Sequence, residues 1–99
     1  MISLEAQTAL TSDEIIVQAE HFFGPDGLGL EVSDRQHRQI TFSGGGGSVV
    51  VSAARTAPDN PTTVTVVARE WEAAARRFLS TLPGPRSAGW LDRLRELFR

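Results

Sequence analysis

"ITFSGGGGSVVV", Ile40 to Val51, sets four consecutive glycines between two stretches that read as β-strand. A phosphate-binding loop and a tight turn both use glycine runs. A phosphate cradle delivers the chain into a helix N-terminus, where backbone N–H groups meet the anion. Here Gly47 runs into Ser48-Val49-Val50-Val51, which is strand. The Walker pattern also needs Lys followed by Ser or Thr, and the chain contains no lysine. A dinucleotide fingerprint fails on the same missing helix. Gly44, Gly45, Gly46 and Gly47 are therefore read as a structural turn. Either they form a hairpin turn, where glycine takes positive φ at low steric cost, or a bent, bulged strand against which a helix or Trp71 packs closely.

Working outward, Leu28, Leu30 and Val32 alternate as a strand, and the polar run Ser33 to Gln39 reads as a hairpin tip. Ile40 and Phe42 continue into the next strand. Beyond the glycines, Val49 to Ala53 is apolar and β-rich, and Ala57-Pro58-Asp59-Asn60-Pro61 is a loop. Thr62 to Ala68 is β-branched and alternates, with Val64, Val66 and Ala68 on one face. Trp71, Ala74, Ala75, Phe78, Leu79 and Leu82 then give a helical apolar face, with Glu72 and Arg76 as an i,i+4 pair opposite. At the N-terminal side, Ile2, Leu4 and Ala6 alternate as a strand. Thr11 and Glu14 form a capping box, with Leu10 and Ile15 as its hydrophobic staple. Ile15, Ile16, Ala19, Phe22 and Phe23 are the apolar face of that helix, which Gly24-Pro25 stops.

The expected fold is α+β and two-layered. An antiparallel sheet of four to five strands, in the order β-α-β-β-β-α, has its first strand beside its last and helices on one face. Residues 1–82 form the domain, residues 83–89 a Pro/Gly linker, and residues 90–99 a short amphipathic helix. This element order resembles the TATA-binding-protein-like and helix-grip architectures over residues 1–82. Phe42-Ser43 with the four glycines, and the later Arg69-Glu70-Trp71, are similar to a small uncharacterised bacterial family. The likeness implies the layered fold and no activity, because such folds host many unrelated functions.

The composition narrows the function. At 40% hydrophobic and 22% charged, the chain is globular. A net charge of −2 lacks the basic surplus that phosphate contacts require, so no nucleic-acid partner is expected. The absence of cysteine excludes disulfides, thiolate metal sites and a cysteine nucleophile. No run reaches the ~18 apolar residues of a membrane span, and no signal peptide is read, so a cytoplasmic location is expected.

No catalytic, cofactor or metal residue is assigned. His21 points away from the apolar arc of its helix, and His37 sits in the polar tip among Asp34, Arg35 and Arg38. Neither has a metal-spaced partner. Ser43 and Ser48 have no activating base nearby in sequence, and the reading leans against an enzyme. The C-terminal segment carries the most information. Trp90, Leu91, Leu94, Leu97 and Phe98 cover an arc of roughly 120°, and a helix of ~10 residues needs something to dock on. Docking on its own domain or on a second copy is the favoured reading, a groove in another protein comes next, and a membrane surface is disfavoured because Asp92 and Glu96 offset two of the arginines; the stripe is therefore taken as a set of candidate partner-binding residues. The function expected is a non-enzymatic interaction or assembly module, binding a protein partner or a second copy through this helix and the open sheet face. The alternative is a small apolar ligand held between sheet and helices.

Overall fold

The computed structural model describes residues 1–55, 57 and 60–84. The linker beyond Gly84 and the expected helix at 90–99 lie outside the described residues. The elements are β1 (Ile2–Thr8), α1 (Ser12–Phe23), β2 (Glu31–Gln36), β3 (Gln39–Gly44), β4 (Gly47–Ala54), β5 (Thr62–Arg69) and α2 (Glu72–Thr81). All neighbouring strands are antiparallel, in the spatial order β1-β5-β4-β3-β2. The fold is α+β, with five strands and the first beside the last. Four strands follow α1 as a meander, so the sheet has the larger of the two expected strand counts.

Local chemistry explains most of these boundaries. Thr11 Oγ1 accepts from the Glu14 N–H at 3.2 Å, and a Glu14 carboxylate oxygen accepts from the Thr11 N–H at 3.0 Å. This reciprocal pair satisfies two N–H groups that the first helical turn leaves free. Ile15, Ile16, Ala19 and Phe23 are buried beneath α1. The sheet keeps a period of two: Val49, Val51 and Ala53 of β4 and Val64, Val66 and Ala68 of β5 are all buried on the helix side.

Two helices cover that side. α1 packs over β3 and β4, and α2 over β1 and β5. Between them Phe22, Phe23, Phe42 and Phe78 form one aromatic cluster, with ring centroids 4.9–5.5 Å apart. Tilted and edge-on contacts of this kind add to the area these rings bury.

Buried polar groups close one end of the sheet. Thr8 and Thr62, opposite each other in the β1–β5 register, are both fully buried. Thr62 Oγ1 donates to Leu10 O at 2.6 Å and accepts from Arg55 Nε at 3.2 Å. Thr8 Oγ1 donates to Pro83 O at 2.7 Å. The Arg55 guanidinium also reaches Ala9 O at 3.4 Å. These bonds satisfy hydroxyls that would otherwise be costly to bury.

One strand differs from the sequence reading. The run Ser33–Gln39, expected as a hairpin tip, is mostly strand. The tip shrinks to His37-Arg38, and β2 occupies Glu31–Gln36. Leu28 and Leu30 belong to the preceding loop, with Leu30 buried and Leu28 exposed. β2 is an edge strand whose residues are all exposed, so burial imposes no apolar alternation on it. Glu72, expected to pair with Arg76, instead lies 3.6 Å from the Met1 ammonium.

Candidate functional site: the open sheet face and its glycine corner

The helices occupy one side of the sheet, and the other side faces outward. Register places its residues in rows. One row runs Ser3, Val67, Val50, Thr41, Asp34, and the next runs Glu5, Thr65, Ser52, Gln39, Gln36. A third runs Arg69, Ser48, Ser43, Glu31. The charge distribution is uneven. Glu5, Asp34 and Glu31 lie on the two edge strands, and Arg69 lies at the very end of β5. Between them the three central strands present only Thr, Ser, Gln, Val and Ala. Ser52 Oγ donates to Gln39 Oε1 at 3.3 Å, a side-chain link across β3 and β4. The centre of the face is thus a field of uncharged, mostly short side chains.

The four glycines stand at one end of this sheet, at the turn joining the interior strands β3 and β4. Gly44 pairs with Gly47, leaving Gly45 and Gly46 as a two-residue turn with φ of 58° and 79°. Positive φ at both central positions is the type I′ hairpin turn, whose twist matches that of the strands. The chain then enters β4, with no helix behind the turn. Trp71 covers this turn. Its indole Nε1 donates to Gly44 O at 2.9 Å. A Cβ on Gly45 would sit 2.8 Å from the indole Cζ2, and a Cβ on Gly47 2.1 Å from Arg69 O. The sequence placed Trp71 on the apolar face of the second helix. It is the residue that caps α2 at the N-terminal end, with its ring turned onto the glycines.

Among the described residues, those capable of chemistry do not converge. Ser43 and Ser48 face each other across β3 and β4, between Arg69 and Glu31. His37 occupies the turn at the opposite end of β3, and His21 is exposed on α1 in the other layer. No nucleophile–base pair is formed by these groups. Among the described residues, no group of three or more His, Asp or Glu could hold a metal ion. No described helix is long and apolar enough to cross a membrane.

A hollow of about 260 Å³ lies between the start of α1 and the β2–β3 turn, lined by Asp13, Ile16, Val17, Arg35, Gln36 and His37. It joins segments distant in sequence, and no sequence signal pointed to it. Polar Asp13, Arg35, Gln36 and His37 share its lining with apolar Ile16 and Val17, and its Arg35 is engaged in an ion pair with Glu20 of α1. The other predicted site residues, Trp90, Leu91, Leu94, Leu97 and Phe98, lie outside the described residues. No family model, curated protein or solved structure matches this chain.

Proposed function

We propose that this chain is a non-enzymatic protein-interaction or assembly module that docks through its open sheet face together with the C-terminal segment 90–99. The observation that carries the reading is the uncharged centre of that face. Ser, Thr and Val lose little side-chain entropy when covered, whereas long charged side chains lose much more. A solvated sheet face has no need to exclude charge from its central strands. A face built to be covered gains by doing so, because buried charges need partners.

Size argues for the second element. Five strands of this length span roughly 20 by 20 Å, about half of the ~800 Å² that each partner commonly contributes to a stable interface. The apolar stripe of Trp90, Leu91, Leu94, Leu97 and Phe98 would supply the remainder. A protein partner is favoured over a small apolar ligand because four phenylalanine rings take up the space between sheet and helices.

The test is affinity capture with the full chain and with Thr65→Arg, which places a charge at the middle of the face. Thr65 points away from the core, so the fold should survive. A partner retained by the parent chain and lost with Thr65→Arg is the expected result. A retained set that is indifferent to this substitution would refute the reading.

A further inference from the structure

The sheet has two edges, and they are built differently. β2 carries the devices that keep an edge from pairing. It has a register shift between Val32 and Asp34, it bears Glu31, Asp34 and Arg35, and Arg35 is tied to Glu20 on α1. β1 carries none of these apart from one charge. Its seven residues keep an unbroken register with β5, from Ile2 opposite Ala68 to Thr8 opposite Thr62. It contains no proline and no lysine, and its single charged residue is Glu5. A long, regular, weakly charged edge offers a row of N–H and C=O groups as a template for another strand.

We infer that the β1 edge is a self-association surface, on which a second copy of this chain pairs antiparallel to give a continuous ten-stranded sheet. Three features of β1 and its surroundings favour a second copy as occupant. The first is register. With the two-fold axis at Leu4, Leu4 faces its symmetry mate, Ile2 faces Ala6 and Ser3 faces Glu5. Each apolar residue then meets an apolar one, and each Ser3 hydroxyl lies opposite a Glu5 carboxylate, twice over by symmetry.

The second feature is the helix layer. α2 packs over β1 and β5 together. Strands lie about 4.8 Å apart, so pairing the two β1 strands would set the two α2 axes about 10 Å apart. That is the distance at which helices pack. The third is the stripe that α2 presents there. Glu72 reaches the Met1 ammonium at 3.6 Å, which places its side of the helix over β1. Leu79 lies two turns further along the same side and, like Ile2 and Leu4, is an only partly buried hydrophobic. Arg76 lies between Glu72 and Leu79, so the facing stripes would carry both signs of charge and an apolar contact. This surface is distinct from the open face, and dimerisation through it leaves that face free.

The test uses the full chain in sedimentation equilibrium, with Ser3→Glu, Glu5→Arg and the double variant. Both positions are exposed and face away from the core, so the monomer fold is spared. A dimer with Kd on the order of 10–100 micromolar is expected. Ser3→Glu sets two pairs of like charges opposite each other and weakens the dimer about tenfold, and adding Glu5→Arg restores it. Amide hydrogen exchange supplies a second readout: alternate β1 amides gain protection as concentration rises. A monomer at every concentration overturns the inference, as does a dimer indifferent to the charge swap. Protection of β1 that is independent of concentration also overturns it, because the chain's own C-terminal segment then covers the edge. That segment starts beside β1, where Thr8 holds Pro83.

Discussion

Asparagine followed by glycine is a strongly favoured pair for a two-residue hairpin turn. By turn chemistry alone, Gly45→Asn should therefore be harmless here, or even mildly stabilising. The structure requires the opposite. A Cβ at position 45 would sit 2.8 Å from Trp71 Cζ2, well inside contact distance, whereas a Cβ at position 46 meets nothing within 4 Å. To admit the new atom the indole must move, which stretches the 2.9 Å bond from its Nε1 to Gly44 O. Loss of that bond costs about 0.5–1.5 kcal/mol and local overpacking about 1–3 kcal/mol. Gly45→Asn should destabilise by about 2–4 kcal/mol in urea unfolding, and Gly46→Asn by less than about 1 kcal/mol, since asparagine tolerates positive φ. In a Trp71→Ala background the obstacle is gone, and Gly45→Asn should then cost close to nothing. Equal costs at positions 45 and 46, or a cost at 45 that survives removal of the indole, would refute the packing argument. Glycine at 45 would then reflect backbone conformation alone.

Two further outcomes test the frame around the site. Thr11→Ala should lower stability by about 1 kcal/mol, read from the midpoint of urea unfolding at unchanged m-value, because it removes the acceptor for the Glu14 N–H. Deleting residues 84–99 should leave a cooperative melting transition, since the cut spares Pro83 O and its bond from Thr8. The same deletion should change association or partner retention in sedimentation and capture. A collapsed transition with unchanged association would make the segment part of the core.

The legible parts of this fold are those where burial or a backbone need left a mark on residue type. Thr62 to Ala68 alternates because one face packs under helices, and Thr11 with Glu14 is recognisable because the free N–H groups of a helix start need acceptors. β2 is illegible for the converse reason: with every residue exposed, nothing forces its polar sequence to look like a strand. The glycine run, with no side chains to obstruct it, already suggests close packing by Trp71, and the structure joins that packing to the hairpin turn; the bond from the indole to Gly44 O depends on the meeting of the β3–β4 turn with the end of β5, which no local pattern encodes. An open face follows from helices on one side of the sheet, but its uncharged centre is not legible in the sequence. Thr41, Val50, Ser52, Thr65 and Val67 look like ordinary outward strand residues one at a time, and only register gathers them into an uncharged field.

The polar closure at Thr8, Thr62, Arg55 and Pro83 bears on how the chain reaches this structure. Each strand pairing within the meander joins segments linked by short connections, the longest lying between Ala54 and Thr62. The β1–β5 seam joins Thr8 to Thr62, and the Thr8 bond to Pro83 spans 75 positions. Loop-closure entropy rises with the logarithm of length, so sealing this seam costs about 2 kcal/mol more than closing the β4–β5 hairpin. Contacts of that range are made after local ones and slow folding. The meander can assemble first and present β5 as a bare edge, and β1 then joins as the last strand, fixed at its far end by the threonine bonds.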